Sequence, residues 1–192
     1  MANVAGKVFR VVGPVVEIEA ASNLRMLDMV AVGEQRLIGE IVHLKDEYAY
    51  VQVYEDTTSV KAGDLVYTEG YPLYVELGPG LLGNIYDGIQ RPLEVIKDRQ
   101  GAYISRGVGV SPLDMQKKWH FRPLCSAGSS VLPGAVLGEV QETPLISHKI
   151  LIPPDVSGTI KWVSSEGDYT VADPVACISG NGADTDIRMA QK

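Results

Sequence analysis

Gly78-Pro79-Gly80-Leu81-Leu82-Gly83 decides how this chain folds. Its spacing is GxGxxG, it follows the strand-like run Leu73-Tyr74-Val75-Glu76-Leu77, and Asp98 stands twenty residues beyond Gly78. As a pattern that is a dinucleotide fingerprint opening an α/β sheet. The chemistry of the loop argues the other way. A phosphate cradle is built from backbone N–H groups, and Pro79 removes one at the centre. Gly88 and Pro92 cut any following helix below the ~10 residues that a crossover between parallel strands needs. Neither flank alternates strands with helices. The loop therefore reads as a tight turn in a linker over residues 71–110, within a mainly all-β chain. Leu81 to Asp87 is predicted as a short helical turn closed by Gly88, and Pro92 opens a second short helix, Leu93 to Asp98, ended by Gly101.

Upstream, β-branched runs alternate with turn residues. Lys7-Val8-Phe9-Arg10-Val11-Val12 and Val15-Val16-Glu17-Ile18-Glu19 flank Gly13-Pro14; Met29 to Val32, Arg36 to Leu44, Tyr48 to Tyr54 and Leu65 to Tyr67 follow. In Tyr48 to Tyr54 the tyrosines and Gln52 share one face while Ala49, Val51 and Val53 share the other. Six short strands without a long amphipathic helix predict a small closed six-stranded β-barrel over residues 1–70.

Downstream, Gly128-Ser129-Ser130-Val131-Leu132-Pro133-Gly134-Ala135-Val136-Leu137-Gly138 aligns without gaps on Gly167-Asp168-Tyr169-Thr170-Val171-Ala172-Asp173-Pro174-Val175-Ala176-Cys177. Two Gly-led turns, each entering an apolar strand, predict a β-sandwich with pseudo-two-fold symmetry over residues 111–192, similar to lipoyl and biotinyl carrier domains. A carrier presents its modified lysine at the hairpin tip between the half-motifs. That tip, read as Glu142 to Ser147, has no lysine, and Lys149 sits beside His148 in neither carrier setting. An autonomous barrel joined to a carrier-like binding module stays as the alternative reading.

Composition narrows the function classes. Against 17 basic side chains stand 24 acidic ones, a net charge of -7, which opposes polyphosphate backbones and anionic lipid; no nucleic-acid partner is expected. The 20 glycines and 11 prolines, about 16% of the chain against roughly 12% in average usage, point to many turns. Cys125 and Cys177 lack CxxC spacing and read as reduced, buried thiols. His43, His120 and His148 have no partners at metal or triad spacing. Lys117-Lys118-Trp119-His120-Phe121-Arg122 interleaves charge with aromatics, and reads as an anchor that buries Trp119 and Phe121 rather than an RNA-stacking patch. No GxSxG, HExxH or GxxxxGK[ST] occurs, no run is apolar enough for a membrane span, and the N-terminus has no signal-peptide pattern. The residues thus predict two β modules, a conformationally special linker, and no catalytic, cofactor or metal site.

The stretch Val75 to Leu93, with GPGLLGNIYDGIQRP at 78–92, resembles the catalytic A subunit of V-type and A-type rotary ATPases, also called the alpha chain. Val11 to Val16, Ile38 to Ile41, Val51 to Glu55, Lys117 to Phe121 and His148 to Pro154 resemble that family in the same order. The resemblance implies a longer parent of which this is the N-terminal third, whose catalytic domain binds Mg-ATP and couples its hydrolysis or synthesis to H⁺ or Na⁺ transport. It implies a barrel in a crown with B subunits of a hexameric A3B3 ring, and a bulge module that meets the peripheral stalk. The place implied is the cytoplasmic V1 or A1 sector, touching the membrane only indirectly. The family's phosphate-binding loop, Mg²⁺ carboxylates and catalytic glutamate follow the bulge, so no catalytic residue carries over. The residues carried over are structural: Gly78, Pro79, Gly80, Gly83, Asp87, Gly88, Gln90, Arg91 and Pro92, with Asp87 and Arg91 placed to pair on one helical turn. Leu81, Leu82, Ile85 and Ile89 are expected to offer apolar surface to the catalytic domain of the parent.

Overall fold

Runs of β-branched residues broken at glycine turns become strands here because each run leaves one face apolar. The computed structural model describes residues 3–20, 24–101, 104–180 and 183–192. Six strands, β1 (Asn3–Val12), β2 (Val15–Ala20), β3 (Asp28–Val32), β4 (Leu37–Lys45), β5 (Tyr48–Val53) and β6 (Leu65–Pro72), close a barrel in the order β1-β2-β5-β4-β3-β6, each pair antiparallel. Inward positions carry Val16, Ile18, Val30, Val32, Leu37, Ile41, Ala49, Val51, Val53 and Val66, all buried. The face division read for β5 holds: Ala49, Val51 and Val53 point in, and Gln52 is exposed. A register shift between Val8 and Arg10 leaves Phe9 bulged and exposed against Tyr48, ring centroids 5.2 Å apart, so that Val8 and Val11 both turn to the core three residues apart.

The chain divides into two compact units, Met1–Tyr74 with Ile96–Gly109, and Val75–Val95 with Val110–Lys192. Among the described residues there is one helix, α1 (Leu93–Gln100). Pro92 precedes it, and Gly101, at φ +83°, donates its N–H to the Lys97 carbonyl at 2.7 Å and stops it.

The second unit holds eight strands: β7 (Lys118–Pro123), β8 (Ser130–Val131), β9 (Val136–Gln141), β10 (Ser147–Leu151), β11 (Gly158–Val163), β12 (Gly167–Thr170), β13 (Pro174–Gly180) and β14 (Ala183–Arg188). They form two sheets, β10-β9-β7-β12 and β14-β13-β11-β8. Advancing each strand of the first half by four turns one order into the other, so the sequence repeat is a structural two-fold in which β8 and β12 are exchanged between the halves. Between the sheets lie Trp119, Phe121, Leu137, Val140, Ile150, Ile160, Val175, Ile178 and Ile187. A Cβ at Gly138 would stand 2.4 Å from Cε2 of Phe121, so glycine is what lets that ring lie flat under β9.

Three local expectations are corrected. Leu73 to Leu77 is not a strand: Leu77 forms an isolated bridge with Gln191, with N–H to carbonyl distances of 2.8 Å each way, while the Gln90 side chain takes both backbone groups of Glu76. Leu81 to Asp87 is not helical, because Gly80 and Gly83 hold left-handed φ values of +107° and +87° and the local N–H groups are spent on a carboxylate described below. The segment 142–146 joins β9 to β10 inside the first half; the halves themselves meet through residues 152–157.

Candidate functional site: a glycine loop around an internal carboxylate

The GPGLLG loop does hold an anion, and the anion belongs to the protein. The backbone N–H groups of Gly80 and Leu82 donate to Oε1 of Glu142 at 2.8 and 3.0 Å, and His148 Nδ1 donates to Oε2 at 3.0 Å. Glu142 begins the β9–β10 turn, which its own N–H closes onto the Ile146 carbonyl at 3.0 Å, and His148 follows on β10. The carboxylate is 3% exposed and the imidazole 26%. Burial alone would push the Glu142 carboxyl up; the Leu82 and Gly80 N–H groups and His148 outweigh it and hold the group below the ordinary glutamate range. The N–H that Pro79 lacks is not needed, since the two donors flank Leu81. Gly80 combines a positive φ with a ring beneath it: a Cβ would stand 3.1 Å from Cζ2 of Trp119.

The other linker residues fix the path of this loop. Gly78 and Pro79 are buried, Gly78 against Leu113 and the Met189 carbonyl. Gly83 and Gly88 are exposed turn positions. Asp87 Oδ1 accepts from the N–H groups of Ile89 (3.1 Å) and Arg91 (2.9 Å), and Oδ2 from Arg91 Nε at 2.7 Å. The expected pair thus forms, across a loop rather than a helical turn. Burial raises the Asp87 carboxyl, but the donors of Arg91 and Ile89 and the guanidinium charge bring it below the usual aspartate range. Gln90, at φ +60°, accepts from the Glu76 N–H at 2.7 Å and donates to its carbonyl at 2.8 Å. Pro92 is buried and bridges Tyr86, whose hydroxyl donates to the Pro112 carbonyl at 3.2 Å. Most of these contacts orient backbone; the buried Glu142 carboxylate has both oxygens engaged, which suits it to fixing a loop and not to moving protons.

Of the Lys117 to Arg122 stretch, Lys118 to Arg122 lie on β7, just after Lys117, with Trp119 and Phe121 turned into the core, so neither ring is offered for base stacking. His120 points outward and donates to Asp168 at 2.8 Å and to Glu166 at 3.2 Å. Those two acceptors raise its pKa above the ordinary 6.5. Because the folded-state value is raised, the stabilisation is complete below the unfolded-state pKa and disappears as pH rises through the folded-state one. In an NMR titration the His120 ring is expected to turn over above 6.5, and Asp168→Asn to bring that midpoint down; an unchanged midpoint would show that the pair is not formed. Cys177 is buried as expected, whereas Cys125 is half-buried with its thiol on the Leu137 carbonyl. Among the described residues no three His, Cys, Asp or Glu side chains are grouped to hold a metal ion, and no helix is long and apolar enough to cross a membrane.

Reading the sequence missed Glu142, His148 and Gln191. In sequence the GxGxxG stretch reads as a linker turn and not as an anion-binding loop, because no local pattern carries an acceptor some sixty residues further on, placed there by a hairpin.

Comparison with known proteins agrees with this architecture. Residues 8–70 match the family model "ATP synthase alpha/beta family, beta-barrel domain", and residues 110–192 match "ATPsynthase alpha/beta subunit barrel-sandwich domain". The A subunit of the A-type ATP synthase from Hyperthermus butylicus is 52% identical over 189 residues, and those from Staphylothermus marinus and Saccharolobus solfataricus are 48% and 47% identical. Each alignment takes in 97–98% of this chain but only 31–32% of the relative, so the chain spans about a third of the length of these curated relatives. With a closed six-stranded barrel and a barrel-sandwich module matched one after the other, the chain belongs to the ATP synthase alpha/beta family.

Proposed function

We propose that this chain is the N-terminal, non-catalytic part of a rotary ATPase catalytic A subunit, serving ring assembly and stalk contact while the chemistry takes place in sequence beyond it. The observation that carries the reading is the alignment of nearly the whole chain with only about a third of the A subunits of A-type ATP synthases. In this reading the barrel of residues 3–72 joins B subunits in the A3B3 crown, the sandwich reaches the peripheral stalk, and the assembly is a cytoplasmic sector coupled to an ion-translocating membrane part. The parent uses Mg-ATP to exchange phosphoryl-bond energy with H⁺ or Na⁺ transport. Of the four apolar residues expected to offer surface, Leu82 and Ile85 are 48% and 61% exposed and support a further contact with the catalytic domain of the parent, whereas Leu81 packs on the sandwich core and Ile89 is half-buried.

Calorimetry of this chain with Mg-ATP tests the assignment of chemistry to downstream sequence. No saturable heat is expected, because the one glycine loop of phosphate-binding appearance is filled by Glu142. Micromolar affinity would place a nucleotide site inside these residues and sink the proposal.

A further inference from the structure

We infer that Glu142 is a releasable latch: its carboxylate is the resident anion of a backbone nest in the GPGLLG loop, and withdrawing that charge frees the loop while the sandwich stays folded. Four observations converge. The two N–H donors of Gly80 and Leu82 meet on a single oxygen, the arrangement by which a short backbone loop binds an oxyanion. The acceptor is a buried carboxylate, and the hydrogen bonds to it come from those two N–H groups and His148. The loop forms no helix or strand of its own: Leu81 packs on the sandwich core, while Leu82, Gly83, Asn84 and Ile85 are exposed. Finally, Glu142 sits on a hairpin held independently of the loop by the β9–β10 register and by the Glu142 to Ile146 turn bond. The side that can yield is therefore the loop.

The charge state of the latch follows from what surrounds it. His148 on β10 and Tyr86 on the linker are the titratable groups that interact with Glu142. Ionised, the carboxylate accepts from both amides and the imidazole; protonated, it gives up acceptor strength toward two amides at once. The docked loop thus stabilises the charged form, and that contribution is present above the unfolded-state glutamate value and is lost as pH falls through the depressed folded-state one. A loop released from Glu142 retains two convergent N–H groups, so its ligand class is a small oxyanion such as formate or inorganic phosphate.

Amide hydrogen exchange on the 192-residue chain tests this directly. In Glu142→Ala the Gly80 and Leu82 amides are expected to exchange roughly tenfold to a hundredfold faster, the range set by losing a hydrogen bond to a charged acceptor. Amides of Phe121, Ile150 and Ile178 are expected to keep their wild-type rates. Formate at a few hundred millimolar is expected to restore the two loop amides, and equal chloride to leave them fast. In the wild type the same two amides should shift together at one acid midpoint below the ordinary ~4.3 of glutamate. Unchanged protection of Gly80 and Leu82 in Glu142→Ala, or restoration by chloride as well as formate, overturns the inference. Should Glu142→Ala fail to fold, Glu142→Gln decides: it keeps the shape without the charge, and wild-type protection in that variant also overturns the latch.

Discussion

Phe121→Ala is expected to lower the stability of the sandwich by about 3–5 kcal/mol, a fall in its melting midpoint on the order of 15–30 °C for a unit of this size. The ring is fully buried, sits under the sheet face that Gly138 leaves bare, and lies edge-on to Tyr169 with centroids 6.3 Å apart. Its removal opens a cavity that β9 cannot collapse into without breaking its pairing to β7 at Val140, Glu139 and Gly138. The two tryptophans of the chain, Trp119 and Trp162, both belong to this unit. Their fluorescence therefore follows the sandwich, and the shift is to be read in a thermal melt as the ratio of long- to short-wavelength emission. A loss under about 1 kcal/mol would mean that the ring does not fill the core as described.

Ile18→Ala is the matching experiment on the barrel, with an expected cost of about 2–5 kcal/mol. Ile18 is completely buried on β2, paired to Val8 of β1 on one side and Ala49 of β5 on the other, so the lost methyl groups come from the middle of the closed sheet. Amide exchange at Val16 and Val51 is expected to accelerate by the full loss of stability. The tryptophan melt is expected to move far less, because the two hydrophobic clusters share no residue. An equal shift in both signals would show that the two units melt as one.

How much of this was legible in the sequence depends on how local the cause is. The barrel strands were readable because Val16/Ile18 and Ala49/Val51/Val53 alternate at period two between turn residues, a pattern that needs no distant partner. The sandwich was readable because its repeat is literal at Gly128 and Gly167. The linker was not. Leu73 to Leu77 has strand composition yet forms one isolated bridge, at Leu77, and Leu81 to Asp87 has helix-compatible residues, but Glu142 claims the N–H of Leu82 and the Arg91 carbonyl that of Asp87. Both are cases of tertiary hydrogen bonds overriding local preference. Pro79 reads as an argument against a nucleotide cradle, and it gives no sign of the two nearby amides that bind a carboxylate.

The exchange of β8 and β12 between the sheets has a kinetic side. The first half, β7 to β10, lacks the strand that flanks β7 until β12 has been made, and β8, made early, finds no partner until β11 follows. Neither half is a complete sheet, and the two pairings that complete them, β7 with β12 and β8 with β11, span long sequence separations, so the entropy of closing those loops must be met before the module is whole. On a ribosome the module is therefore expected to stay open until β13 and β14 emerge, and then to close in one cooperative step, leaving no stably folded half to be cleaved or to exchange strands with a neighbouring chain.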